Sequence, residues 1–346
     1  MSLFSREKSH LGIDIGTASI KIVELERGAG GLRLLTYGFT ENLGEIERKD
    51  WQNDIKYTAR IINEICQKAK TVSRSAVAAL PTFSVFSSII NLANVDQKDF
   101  ASAVHWEAKK VIPLPLEEMV LDWKKIEGEG KGDKNVRVLL TGAPKTLVKR
   151  YINIFKEARI SLLSLETETF SLIRALLGSD KSTVMIVEVG MSTTDISIIS
   201  KGISVLSRSI DVGGLAITKA ISNNLGVGSE RAEQFKYDLG ISSADSSEEV
   251  VPKAIAETIS PIINEIKYML NLFESKNSEK VEKLILSGGS SLLPNFVNYL
   301  SKIFNLNVII GDPWSRVSYP VDLGPVIAEI GPKLSVAIGL AMRETR

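Results

Sequence analysis

Two short stretches carry residue types at spacings that could do chemistry. In "IDIGTASIKIVELE", Asp14 stands two residues ahead of Gly16, and Thr17, Ala18 and Ser19 follow; in "VEVGMSTTDISII", Glu188 stands two ahead of Gly190, and Met191, Ser192, Thr193 and Thr194 follow. A tight turn between strands can aim several backbone N–H groups and hydroxyls into one concavity, which suits an anion such as phosphate. Glycine permits the close approach. A carboxylate just before the turn can hold a hydrated Mg²⁺, a cation that prefers oxygen ligands and keeps part of its water. Taken singly, each stretch reads first as a plain hairpin. The two recur about half of the 346-residue chain apart, each followed by a further strand, which points to an internal duplication. As a pair they read as a clamp on phosphates, with Asp14 and Glu188 facing a metal through water. Lys21, between Ile20 and Ile22, is either a solvated strand residue or a cation reaching back to those phosphates. "LILSGGSSLLP" adds a third turn, where Gly288, Gly289, Ser290 and Ser291 would let the backbone approach a flat ligand. No GxxxxGK[ST] loop occurs.

The elements that must position these residues follow from periodicity. Residues 11–15, 20–25 and 32–39 read as strands, and 51–70 as a helix with Ile55, Ala59, Ile62, Ile65/Cys66 and Ala69 on one face. Residues 75–80 are a short apolar strand. From about 84 to 160 the order β-α-β-β-α suggests a compact inserted α/β unit. Its first helix carries Phe100, Ala103/Val104, Ala108 and Val111; a proline turn, "IPLPLEE", precedes strand 118–126; the loop "EGEGKGDKN" leads to strand 136–143; and helix 145–158 presents Val148, Tyr151/Ile152 and Phe155. In the second half, 183–199 and 203–210 repeat the strand pattern. Gly213-Gly214 opens a helix, Ser229 caps another that Gly240 stops, and 242–249 is a loop. Ile259, Ile262/Ile263, Ile266, Met269/Leu270 and Phe273 form one face of a long helix. Pro294 introduces the helix after the third turn, "GDPWSRV" is a loop, and a closing helix starts at about 332.

Composition narrows the function classes. Lys+Arg 42 against Asp+Glu 41 gives a net charge of +1, so no sign imbalance argues for nucleic acid or an acidic membrane. One cysteine, Cys66, and two isolated histidines, His10 and His105, exclude both an internal disulfide framework and a Cys/His metal cage. The start lacks the apolar core of a signal peptide, and no run reaches the roughly 18–20 apolar residues of a membrane span. The expectation is a cytoplasmic protein, peripheral at the membrane only through partners.

"GIDIGTASIKIVELE", "VEVGMSTTDISII" and "LSGGSSLLPNF", in that order, resemble the phosphate-1, phosphate-2 and adenosine motifs of the actin-like ATPase superfamily. Within it, "ASAVHWEAKKVIPLPLEEMVLDW", "LETETFSLIRAL", "ERAEQFKYDLG", "GDPWSRV" and "SVAIGLAMR" bring the chain nearest to the PilM family of type IV pilus assembly. The resemblance covers essentially the whole chain. It implies an α/β actin-like fold of two lobes with duplicated five-stranded RNase H-like sheets: 1–180 with the 84–160 insert, closed by helix 332–346, and 181–331. It implies ATP or ADP with Mg²⁺ as cofactors. Asp14 becomes the metal-facing aspartate, Thr17–Ser19 the first phosphate loop with Lys21 its lysine, and Ser192–Thr194 the second. Glu233 and Lys236 fall where the family contacts ribose and adenine, and Gly288–Ser291 where base and sugar pack. Glu168 falls where related ATPases orient water, although an acid in a helix's first turn is also favoured by the macrodipole. The implied partner is the N-terminal cytosolic peptide of a PilN-like membrane protein, in a groove between the first lobe and the insert. Trp106 and the Ile112–Leu116 turn are candidate lining, although packing within the insert explains them equally; pilus motor ATPases and self-association are further partners the resemblance allows.

The second turn departs from the family's Asp-Ile-Gly in opening on Glu188. The extra methylene displaces the carboxylate, and positioned catalysis tolerates little misplacement, so at most weak ATPase activity is expected. Two other readings compete with the scaffold. A small-molecule kinase of the same superfamily needs a well-placed carboxylate base and an acceptor pocket, for which no strong candidate stands out. A filament-forming cell-division protein like FtsA needs a membrane-binding amphipathic helix, which the ending GLAMRETR does not resemble.

Overall fold

The apolar run ahead of Gly16 forms strand β1 (Ser9–Ile15), which turns back into β2 (Ile20–Gly28) and on into β3 (Gly31–Phe39). β1 and β2 pair antiparallel with Asp14 opposite Lys21. β4 (Ser75–Leu80) joins β1 in parallel, and β8 (Ser161–Thr167) joins β4. The computed structural model describes residues 9–40, 53–93, 95–126, 135–241, 250–276 and 279–344. Trp51, most of the loop after residue 126 and the 242–249 stretch lie outside them.

The second half repeats the plan. β9 (Val184–Val189), β10 (Thr194–Ser200) and β11 (Ile203–Ile210) form an antiparallel meander, with β12 (Lys283–Ser287) and then β13 (Asn307–Ile310) added in parallel. The sheet orders β3-β2-β1-β4-β8 and β11-β10-β9-β12-β13 therefore match strand for strand. The expected five strands in the first lobe become six, because β14 (Val317–Ser318) from the "GDPWSRV" segment pairs with β3. Two residues are too short to show a strand period in sequence.

Helix α1 (Ile55–Lys68) buries Thr58, Ala59, Ile62, Ile65 and Cys66 at helical spacing, and Asp54 caps it by accepting the Tyr57 N–H at 3.0 Å. The inserted unit consists of β5 (Phe86–Ala93), α2 (Phe100–Val111), β6 (Met119–Ile126) and β7 (Asn135–Pro144), with sheet order β5-β7-β6. It has its own apolar cluster: Ile90, Leu92, Val138 and Leu140 under Phe100, Val104 and Ala108. Helix α3 (Lys145–Glu157) packs against the first lobe through Tyr151, Ile154 and Phe155, while Ile152, expected inside, is 48% exposed. The inward face runs from Tyr151 to Ile154 and Phe155, three and four residues on, which turns Ile152 away.

In the second lobe α5 (Gly214–Leu225), α6 (Ser229–Leu239), α7 (Val250–Lys276) and α8 (Phe296–Phe304) cover the sheet, with Ile255, Ile259, Ile262, Ile266 and Met269 of α7 in its core. Ser229 is the first residue of α6 rather than its cap; the cap is Gly228 and makes no side-chain bond. The closing helix α9 (Gly324–Ala341) begins eight residues before the expected 332, carrying Pro332 inside it. Together with α4 (Glu168–Leu172) and the π turn Ile173–Leu177, it forms the seam between lobes: Val336 and Leu340 join Val77 and Ala79 of β4 to Val184 and Ile186 of β9. Val321–Ala341 is, against expectation, long and apolar enough to cross a membrane, but 56% of that window is buried against the protein's own sheets and helices.

Candidate functional site

The duplicated turns close the same way. The Gly16 N–H donates to Ser19 O at 3.0 Å and the Gly190 N–H to Thr193 O at 2.9 Å. Both turns open on one cavity of ≈ 50 Å³ at the seam, lined by Asp14, Gly16, Thr17, Ala18, Ser19 and Lys21 from the first lobe and by Glu188, Gly190, Met191 and Thr193 from the second. Glu168 also reaches it, with Pro81 and Phe83. A volume of that order holds a few waters, not a triphosphate.

Asp195 is the charged lining residue that sequence reading missed, beside the apolar Pro81 and Phe83. Its signal was present: it follows Glu188 by the same seven residues that separate Lys21 from Asp14, and each pair faces across its hairpin. The two pairs differ in charge. Lys21 Nζ lies 2.8 Å from Asp14 Oδ2, an internal ion pair. Burial opposes the Lys21 charge, but Asp14 beside it, with Glu188 and Glu168 beyond, outweighs this and holds the ammonium above its ordinary range. In the second hairpin two carboxylates meet. Burial, then Asp195, pushes the Glu188 carboxyl up to about 8, against the pull of Lys21; burial, then Glu168, pushes Asp195 up to about 8. Glu168 is raised as well, by burial and then by the Asp14 and Glu188 charges, although its Oε2 accepts from the Thr82 N–H at 2.8 Å and the Thr82 hydroxyl at 2.9 Å.

The remaining candidates form a neighbouring cluster. Gly213 passes so close to the second turn that a Cβ there would lie 2.7 Å from both Gly190 O and Met191 O, and the Gly214 and Leu215 N–H groups donate to those carbonyls at 2.9 and 2.8 Å. Gly288 combines φ of +82° with a Cβ position 2.4 Å from Val189 O, so only glycine fits. Lys236 is buried with Nζ 2.7 Å from both Glu233 carboxylate oxygens and 3.1 Å from Thr218 Oγ1; burial pushes its ammonium down, against Glu233. Tyr237 Oη donates to Gly289 O at 3.4 Å, Ser291 Oγ to Gly288 O at 2.7 Å, and Ser290 is buried. Lys333 of α9, not singled out in the sequence, sits over Phe39 at 4.8 Å and beside Gly289. Two expected phosphate-loop residues do not line the cavity: the Thr194 hydroxyl donates to Val212 O at 2.6 Å, and Ser192 stands outside the lining.

A second depression, of ≈ 1490 Å³, separates the first lobe from the insert. Its lining comes from the face of the β5-β7-β6 sheet opposite α2, including Val120, Asp122, Lys124, Arg137 and Leu139, and from Glu166, Thr167 and Arg343. The second lobe contributes the β10–β11 turn, Ser200–Ile203. At its floor the Glu166 carboxylate holds Arg174 at 2.7 Å and Arg343 at 2.8 Å. Trp106 does not line it. That tryptophan is 64% exposed on the outer face of α2, and Ile112 and Leu116 are buried in the insert's own core. Strand alternation is the reason, since the helix covers one sheet face and the groove lies on the other.

A duplicated sheet with facing glycine turns at the seam defines the class: the fold is that of the actin-like ATPases. The chain belongs to the family described as "Type IV pilus assembly protein PilM", whose model matches residues 12–345. A structure of the PilM-PilN type IV pilus biogenesis complex is similar at TM-score 0.84 and 23% identity, covering 97% of this chain and 98% of that one. MreB5 of Spiroplasma citri bound to AMPPNP is similar at TM-score 0.53 and 16% identity, covering 96% and 94%. Among curated proteins, FtsA of Neisseria meningitidis serogroup B is 25% identical over 261 residues; the match spans 67% of this chain and 61% of that protein. FtsA of Enterococcus faecalis is 21% identical, over 86% and 77%.

Proposed function

We propose that this protein is a cytoplasmic, ATP- and Mg²⁺-binding scaffold of the pilus inner-membrane platform, which takes the N-terminal peptide of a PilN-like protein in the groove beside its insert. The observation that carries the reading is the convergence of both duplicated turns on one cavity between the lobes. The donor set fits the proposed ligand: turn N–H groups and hydroxyls suit phosphate, and Asp14 and Glu188 suit a cation that keeps its waters. A bound Mg²⁺ would supply positive charge against the carboxylates and phosphates. The lobes must part to admit a triphosphate, and the β10–β11 hairpin, which runs from Asp195 in the cleft to Ser200–Ile203 in the groove, would carry that movement to the peptide. Turnover would be slow, because Glu168 already accepts two hydrogen bonds and Glu188 is one methylene longer than aspartate.

Coupling of this kind is reciprocal. Calorimetric titration of Mg·ATP with and without a synthetic PilN-like N-terminal peptide is expected to give different affinities, and the peptide's affinity should change by the same factor with ATP. Equal affinities would refute coupling, and no binding of either ligand would refute the scaffold.

A further inference from the structure

The cleft and the groove share a wall built from two adjacent strand ends. β4 and β8 run parallel with Leu80 opposite Thr167. Past that point, residues of each chain segment divide between the two cavities: Leu80, Val85, Glu166 and Thr167 face the groove, while Pro81, Phe83 and Glu168 face the cleft. The segments are tied at one place, where the Thr82 N–H and hydroxyl both donate to Glu168 Oε2 at 2.8 and 2.9 Å. Thr82 lies in the turn Thr82–Ser84 by which the chain leaves the first lobe for β5 of the insert, and β11 of the second lobe packs on the same turn. First lobe, insert and second lobe therefore meet at this turn.

We propose that the Thr82–Glu168 latch is the element that transmits cleft occupancy to the groove, with Thr82 as a positioning residue that holds the insert. This rests on the scaffold reading above. Glu168 faces the position where phosphate and cation would sit beside Asp14, so a filled cleft competes for its carboxylate. When Oε2 turns to the cleft, the Thr82 turn is released, and with it the start of β5 and the groove residues Leu80 and Val85. Coupling needs such an element with two arrangements, and a carboxylate shared between a ligand and a hinge turn supplies them.

The test is a double titration on Thr82→Val, which keeps the shape and removes the hydroxyl, with Thr82→Ser as the conservative partner. Because the variant weakens the latch without ATP, the PilN-like peptide alone should bind Thr82→Val with an affinity shifted from wild type's ATP-free value toward its ATP-bound one. The coupling factor, which for such systems is about 5–150-fold, should shrink severalfold in Thr82→Val, which keeps only the backbone bond to Glu168, and persist in Thr82→Ser. Amide exchange of Phe86–Ile90 should respond to Mg·ATP in wild type and lose that response in Thr82→Val. Full coupling in Thr82→Val, or equal loss in both variants, overturns the latch while leaving the scaffold standing. Absence of coupling in wild type overturns the scaffold's allostery and the latch together.

Discussion

Replacing Asp195 by asparagine should stabilise the protein at high pH when divalent cations are absent. Asp195 is 7% exposed and faces Glu188 across the second hairpin, and among the described residues it has no cation of its own comparable to Lys21. Its carboxyl stands at about 8, against 3.8 for an ordinary aspartate. The native state therefore keeps a proton that the unfolded chain has lost, so stability falls as pH rises between those values and levels off above the upper one. At about 1.4 kcal/mol per pH unit, the interval from pH 5 to pH 8 costs the wild type up to roughly 4 kcal/mol through this one group. An asparagine side chain has nearly the same shape and no such titration, and it also relieves Glu188, for which Asp195 is the second-largest cause after burial. Thermal unfolding in EDTA should show Asp195→Asn gaining on wild type from pH 5 to pH 8, by up to roughly 6 °C at about 1.4 °C per kcal/mol for a chain of 346 residues. Added Mg²⁺ should narrow the gap by stabilising the wild type, with its extra carboxylate, more than the variant. Parallel melting temperatures at pH 5 and 8 would refute the carboxylate pair as a source of strain.

Asp14→Ala should abolish most of the Mg²⁺-dependent part of nucleotide affinity, because it removes the carboxylate at the first turn and leaves Lys21 without its 2.8 Å partner; calorimetry that finds wild-type affinity would refute the assignment. Gly213→Ala should cost roughly 1–3 kcal/mol, since its Cβ would press on two carbonyls of the second turn at 2.7 Å, and denaturant unfolding unchanged from wild type would refute that contact.

The parts of the fold that repeat a period were legible in the sequence. The glycine turns, the flanking strands, α1 and the long α7 announce themselves through alternation or helical spacing, and the half-chain repeat predicted two sheets of one plan. What escaped was set by tertiary packing. β14 is two residues long and exists because β3 offers an edge. Pro332 looked like the start of a helix, yet α9 carries it in its interior, where the flanking sheets hold the helix in place. For Trp106 and the Ile112–Leu116 turn the sequence leaves groove lining and packing within the insert both open, because which sheet face α2 covers is not written in α2 alone; Ile112 and Leu116 take the second. Asp195 escaped for a different reason: each hairpin was read for its turn and not for the residue that comes back opposite the acid.

The comparison of the two hairpins also bears on why a cation should be needed at all. In the first, Asp14 and Lys21 cancel each other, so that hairpin presents backbone donors with little net charge. In the second, Glu188 and Asp195 add, and Glu168 faces them from α4. A polyphosphate approaching this cleft meets donors suited to it on one side and a concentration of carboxyl groups on the other. Protons answer that repulsion in the closed cleft, which is the meaning of carboxyls raised toward neutral pH. Phosphates cannot use the same answer, because each brings further negative charge. A divalent cation can, and its binding would displace the protons. On the proposed reading the two hairpins would divide the work: the first would offer a phosphate turn of little net charge, and the second a carboxyl pair whose repulsion a divalent cation, shared with Asp14, would relieve.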